Sequence, residues 1–409
     1  MFSRKQKSIY FVIEGLNSFT TVYYFYYFYF YMQQQFGFGN KANLLLAASN
    51  GAMYAAGTWW SGRLAHRFGL LNALKFGFAL MFSALLAGSQ MSGATGQIVV
   101  MLITVLGMCF TWPMLEALVS ENEPRAGLQS MVGIYNVVWA GTGALSYFVG
   151  GAMLEKLGIR SLFFVPMTLL TAQFSLAMWA QKRLARTAAS DACVGASIAD
   201  DMPHPHTPEH TRLFLRMAWL TNPFAYIAIN TVIAVVPGIA HKLELSTTLA
   251  GFCCSVWCFA RLGSFTILWL WDGWHYRFRW LLVAYLALVI SFAAILIIPS
   301  LAVLVIAQLF FGGAVGLLYY SSLFYSMDLS EVKSEHGGIH EAVIGLGNLA
   351  GPAVGALALH FVPQYAHSGS IAVSGLLLLG LGGLLGIRGM AGRAAQGQQQ
   401  PAVPATLAK

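Results

Sequence analysis

Apolar residues run in blocks of about 20 along almost the whole chain, broken by short polar stretches. A helix needs about 20 apolar residues to cross the hydrocarbon core of a bilayer. Lipid offers the backbone no hydrogen bonds, so blocks of this length fold as helices. The pattern predicts twelve spans, at 9–32, 42–64, 70–90, 97–119, 127–153, 161–181, 215–240, 247–271, 279–299, 302–327, 339–361 and 370–389. The widest gap, 182–214, separates two bundles of six, 1–181 and 215–389. The last stretch, 390–409, is rich in Ala, Gly and Gln and reads as a disordered tail.

Composition agrees with an all-α integral membrane protein. Hydrophobic residues make up 57% of the 409 residues and charged residues only 9%, against about 25% charged in a soluble domain. The net charge of +8 does not indicate a nucleic-acid partner, because the basic residues are scattered through short gaps. Their placement does set an orientation. Of the 23 Lys and Arg residues, 18 fall on one side, four (Lys41, Lys156, Arg160, Lys242) on the other, and Arg261 is left inside a span. Basic residues stay on the cytoplasmic side, so both termini are expected in the cytoplasm. The first apolar run is too long for a signal peptide and reads as a span. The five cysteines form no disulfide framework, and four of them lie inside predicted spans.

Ionisable and amide groups inside spans are expensive and mark function. In span one, Glu14, Asn17, Ser18 and Thr21 share a helical face, which Tyr24, Phe25 and Phe28 continue. The nine aromatics Tyr23–Tyr31 cover every face of that helix, and those on its outer half are expected in an interfacial belt. Glu116 shares a face of span four with Trp112 and Cys109. Asn136 lies in span five, Asn222, Tyr226 and Asn230 in span seven, and Gln308 and Tyr319 in span ten. These groups suit hydrogen bonding to a solute, or packing between helices. Arg261 wants a carboxylate, and an internal pair with Glu14, Glu116 or Glu341 is favoured over a bond to substrate. His340 and Glu341 open span eleven, with Asn348 further along the Glu341 face. Glu14, Glu116, Glu341 and His340 are the candidate proton carriers. Gly347, Gly351 and Gly355, every fourth residue, should admit another helix. Prolines Pro223 and Pro237 mark span seven as breakable. The linker's His204, His206 and His210 read as solvated side chains, not as a metal site, and no cofactor is expected.

The halves echo each other: Gly107, Glu116 and Glu121 of span four correspond in spacing to Gly312, Ser321 and Ser326 of span ten. After span two comes Gly62-Arg-Leu-Ala-His66-Arg67-Phe-Gly69, with a looser counterpart, Asp272-Gly-Trp-His-Tyr-Arg277, after span eight. The first loop resembles the Gly-x-Leu-Ala-Asp-Arg-x-Gly-Arg-Arg signature of the major facilitator superfamily. It matches at Gly62, Leu64, Ala65, Arg67 and Gly69 and departs at His66, Leu70 and Leu71. The resemblance implies a secondary transporter working by alternating access, with a cavity between two six-helix bundles lined mainly by spans one, four, seven and ten. It gives Gly62, His66, Arg67 and Gly69, with Asp272 and Arg277, a gating role, in which His66 replaces the family's Asp. It also implies a monomer. The chain is therefore read as a multi-pass transporter of a small organic solute in a bacterial inner membrane, proton-coupled and not an enzyme. Polar cavity candidates favour uptake of a polar solute. Efflux of lipophilic compounds and a non-transporting receptor stay open as alternatives.

Overall fold

The computed structural model describes residues 4–121, 125–190, 208–329 and 333–398. They form helices α1 (Arg4–Phe36), α2 (Asn40–Phe68), α3 (Leu70–Gly88), α4 (Ala94–Met108), α5 (Trp112–Ser120), α6 (Arg125–Lys156) and α7 (Ser161–Ser190) in the first half. The second half holds α8 (Pro208–Lys242), α9 (Thr247–Cys254), α10 (Val256–Leu270), α11 (Phe278–Ile297), α12 (Leu301–Leu329), α13 (Lys333–Phe361) and α14 (Ser368–Gln398). The pairs α4/α5 and α9/α10 are each one span broken in the middle, so the helices make twelve crossings. Helix α7 and α8 run into the stretch read as linker, and α14 runs on to Gln398.

Ten spans are long and apolar enough to cross a membrane by length and composition. Helices α1 and α2 are long enough but carry too many polar groups, α1 through its tyrosines. Those tyrosines are not at an interface as expected. Tyr23, Tyr27, Tyr29 and Tyr31 are all buried, because α1 is a central helix packed against α6 and α7. Their hydroxyls find partners inside the bundle: Tyr23 meets Ser161 Oγ at 2.7 Å, and Tyr27 donates to the Tyr147 carbonyl.

The two breaks have different causes. At the first, Phe110 N and Thr111 N bond three residues back, to Gly107 O at 3.0 Å and Met108 O at 2.9 Å, and Pro113 then occupies the first turn of α5, where a missing N–H costs nothing. At the second there is no proline. The side-chain amide of Gln308, on α12, donates to Cys253 O at 2.8 Å and accepts from Trp257 N at 3.4 Å. Those two backbone groups would otherwise bond each other in an unbroken helix. Gln308 is therefore a wedge that satisfies both ends of an opened turn, and it is not among the cavity-lining residues, contrary to expectation. Pro223 and Pro237 lie inside a continuous α8.

The halves cross closely where glycine removes the side chain. A Cβ on Gly51 of α2 would overlap the backbone at Asn348 and Leu349 of α13, and one on Gly345 would sit 2.6 Å from Ala55 Cα. Within the second half, Gly347 and Gly351 meet the α8 backbone at Pro223 and Ile227, as their four-residue spacing predicts. At the face opposite the termini, the halves are joined by polar contacts. Thr248 donates to Glu155 Oε2 from its N and Oγ1 at 3.0 and 2.8 Å. Gln34 donates to Thr247 at 3.1 Å, and Lys41 Nζ lies 3.1 Å from His360 Nδ1.

Candidate functional site

Between the halves, about midway along the helices, lies a cavity of about 160 Å³. Its walls come from α1, α2, α4, α5 and α6 on one side and α8, α10, α12 and α13 on the other. Of the residues singled out in the sequence, Thr21, Trp112, Tyr226, Asn230, Arg261, Tyr319, Glu341 and Asn348 line it. They arrive from helices far apart in the chain. Asn230 Nδ2 donates to Asn348 Oδ1 at 2.5 Å, so the two amides form one polar patch.

Other candidates sit elsewhere. Asn136 is buried and accepts from Trp139 Nε1 at 2.9 Å, which fixes that indole at the cavity wall. Tyr24 is buried against Phe25 and Phe28. Asn17 and Asn222 are buried with no side-chain partner among the described residues. The side chains of His66 and His340 lie outside the described residues. Gly69 joins α2 to α3 at φ +84, a left-handed value that suits glycine. Gly62, on α2, has open space where a Cβ would go. Arg67, Asp272 and Arg277 are exposed. His204 and His206 also fall outside the described residues, whereas His210 packs on Phe214 and Tyr276.

Glu14, Glu116 and Glu341 come together from α1, α5 and α13, close enough for their charges to interact. All three are buried. Tyr135 faces the Glu14 carboxyl, while Tyr54 Oη donates to Glu341 Oε2 at 2.6 Å. The tyrosines Tyr54, Tyr135, Tyr226 and Tyr319 surround the cluster. Among the described residues none of the three carboxyls forms an ion pair. The Lys7 ammonium, on the same helix as Glu14, donates to Val119 O at 3.0 Å and Glu121 O at 2.8 Å. The cluster lies toward the face that carries the termini: Glu14 is seven residues before the cavity-lining Thr21, about 10 Å along the helix. Glu341 alone belongs to both cluster and cavity wall.

Arg261 does not make the internal pair expected of it. No carboxylate lies within ion-pair reach among the described residues. Its guanidinium carbon sits 4.5 Å from the Trp139 ring and 4.8 Å from the Trp257 ring instead. The three carboxyls neighbour one another.

Sequence reading missed Tyr54, Trp139 and Tyr26. Tyr54 had a signal, because Asn43, Asn50, Tyr54, Thr58 and Ser61 recur at helical spacing along span two. Trp139 follows Asn136 by three residues. Tyr26 was hidden in the aromatic run.

The architecture has counterparts. The sequence profile of the Major Facilitator Superfamily matches residues 9–352. The chain belongs to the Major Facilitator Superfamily. Solved structures of this superfamily's transporters share its fold. The nucleoside transporter NupG superposes with a TM-score of 0.68 at 12% identity, over 93% of this chain and 99% of that one. The human organic anion transporter MFSD10 (TETRAN) gives 0.64 at 14%, over 94% and 100%. A bacterial homologue of the human lysosomal transporter Spinster, inward-facing and unoccupied, gives 0.61 at 13%, over 94% and 96%. No curated protein matches the chain by sequence. The Major Facilitator fold makes this a multi-pass membrane protein of a transporter family, and its central cavity lies between the two six-helix halves.

Proposed function

We propose that the protein is a secondary active transporter that takes up a small polar organic solute by alternating access and couples that movement to protons. One observation carries the reading: Glu341 is both a wall of the cavity and a member of the buried carboxyl cluster. Three carboxyls that share a buried site with no cation among the described residues do not all carry charge at once, so the cluster holds protons. Glu14 and Glu116 come from one half and Glu341 from the other, so moving the halves changes their separation. The solute binds against Asn230, Asn348, Tyr226 and Tyr319, which line the cavity. The neighbours in fold include transporters named for nucleosides and for organic anions, both small organic solutes. The basic residues support cytoplasmic termini, and the protein acts as a monomer in a bacterial inner membrane.

The test is proton movement in proteoliposomes that contain a pH-sensitive dye. Sugars, nucleosides, amino acids and carboxylates are added outside in turn. One class should acidify the lumen of wild-type vesicles, and Glu341→Gln should abolish that acidification while solute binding persists. Solute uptake with no proton movement, identical in wild type and Glu341→Gln, would refute the coupling.

A further inference from the structure

Among the described residues Arg261 is a cation without an anion. Only 4% of its surface is exposed, and a charge that deep needs a counter-charge or a polar ligand. Two indole rings lie against the guanidinium, with Trp139 at 4.5 Å and Trp257 at 4.8 Å. The donors of a guanidinium point outward in its plane, and neither ring supplies them an oxygen acceptor. Among the described residues Nε has no hydrogen-bond partner and no carboxylate reaches the group. The residue forms part of the cavity wall beside Tyr26 and Tyr226. A planar fork of donors, set against two indoles and part of the wall of a ligand-sized space, matches one chemical group best. A carboxylate accepts two parallel N–H bonds in the same plane.

The wall next to Arg261 is aromatic. Tyr26 stacks on Trp257 with ring centroids 6.4 Å apart and an interplanar angle of 21°. Trp112 and Tyr319 pack edge-on against Trp139 at 5.8 and 5.5 Å. Flat rings on this wall suit a flat solute body. The amide patch of Asn230 and Asn348 supplies hydrogen bonds to a polar substituent.

We propose that the solute is a small aromatic monocarboxylate whose carboxylate docks on Arg261 between Trp139 and Trp257. This rests on the transporter reading for its physiological meaning, but the binding site is separable from it. With such a solute, the negative charge enters at Arg261 and the proton at the carboxyl cluster, so the two charges that move together sit at different places in the wall.

The experiment uses the full chain in detergent and three probes of similar size but different charge: benzoate, benzamide and benzylammonium. Melting temperature and tryptophan fluorescence are followed against the concentration of each. Benzoate should raise the melting temperature and change the fluorescence of the indoles flanking Arg261. Benzamide and benzylammonium should do neither at the same concentrations. Arg261→Lys should weaken benzoate binding tenfold or more, because a single ammonium cannot offer the planar fork, and Arg261→Gln should remove it. Sodium chloride is titrated as a separate arm, since an inorganic anion also fills a cationic hole. If chloride reproduces the benzoate response, the site is an inorganic anion site and the proposal fails. It fails equally if benzamide binds as well as benzoate, or if no probe shifts the wild type. The wild-type panel decides this even if a variant does not fold. The proteoliposome assay separates the two readings. Proton-driven uptake of a neutral solute, with no benzoate binding, removes the Arg261 site and keeps the transporter. Arg261-dependent benzoate binding, with no solute-driven proton movement, does the reverse.

Discussion

Opening the cavity to the face opposite the termini requires α2 and α13 to part, because they cross in contact where Gly51 and Gly345 lack side chains. Gly345→Ala tests this. The new Cβ would lie 2.6 Å from both Cα and N of Ala55 and 2.8 Å from its Cβ, whereas ordinary van der Waals contact begins near 3.4 Å. The two helices must separate by about 1 Å, and backbone atoms cannot swing aside as a side chain would. Overpacking of this kind costs about 1–3 kcal/mol. The cost falls on the state in which α2 and α13 touch, not on the state in which they are apart. At tenfold per 1.4 kcal/mol, the open state gains about five- to 150-fold in population. The assay places a single cysteine at the cavity-lining Asn50 in a cysteine-free background and measures its labelling by an impermeant maleimide from the far face. Gly345→Ala should label faster by about that factor. Gly375→Ala, on α14 where a Cβ meets nothing within 4 Å, is the control and should label at the parent rate. An unchanged rate in Gly345→Ala, or an equal rise in Gly375→Ala, would show that the crossing does not hold the far face shut.

Two further outcomes follow from contacts already described. Gln308→Leu removes the amide that bridges Cys253 O and Trp257 N; at about 0.6 kcal/mol, and at most about 1.7, per hydrogen bond inside a membrane, the melting temperature should fall while solute affinity stays the same, and a changed affinity at constant stability would return Gln308 to the cavity. Glu155→Ala removes both Thr248 bonds at the exposed far face, so the Asn50 cysteine should label a few-fold faster, an effect as modest as exposed hydrogen bonds are; labelling at the parent rate would mean those bonds contribute nothing to closure.

The number and order of spans were legible because length and apolar composition alone decide which segments cross a bilayer. The break in α9/α10 was not, because its cause is a side chain 51 residues away on another helix, and local sequence around Ser255 carries no proline. Glu14, Glu116 and Glu341 were each visible as charges that a span does not carry without reason. Their meeting was not visible, since helical periodicity assigns faces within one helix and says nothing about which faces of α1, α5 and α13 converge. The same limit explains Arg261. Sequence shows that a buried guanidinium needs a partner, but a pair of tryptophans 118 residues apart (Trp139 and Trp257) satisfies its faces as well as a carboxylate satisfies its edge. The outer-half aromatics of α1 are expected at an interface because tyrosines gather at that level, whereas a central helix buries the run and pairs the hydroxyls of Tyr23 and Tyr27.

The bond from Tyr54 to Glu341 crosses from α2 to α13, and therefore from one half of the molecule to the other. Its strength depends on whether the carboxyl is charged, and it exists only while the halves are together. Linkage is reciprocal: whatever free energy a proton on Glu341 adds to or subtracts from the closed interface, closure adds to or subtracts from proton binding in equal measure. The contact thus makes the position of the two halves and the occupancy of one proton site a single thermodynamic variable, with no separate relay needed between them.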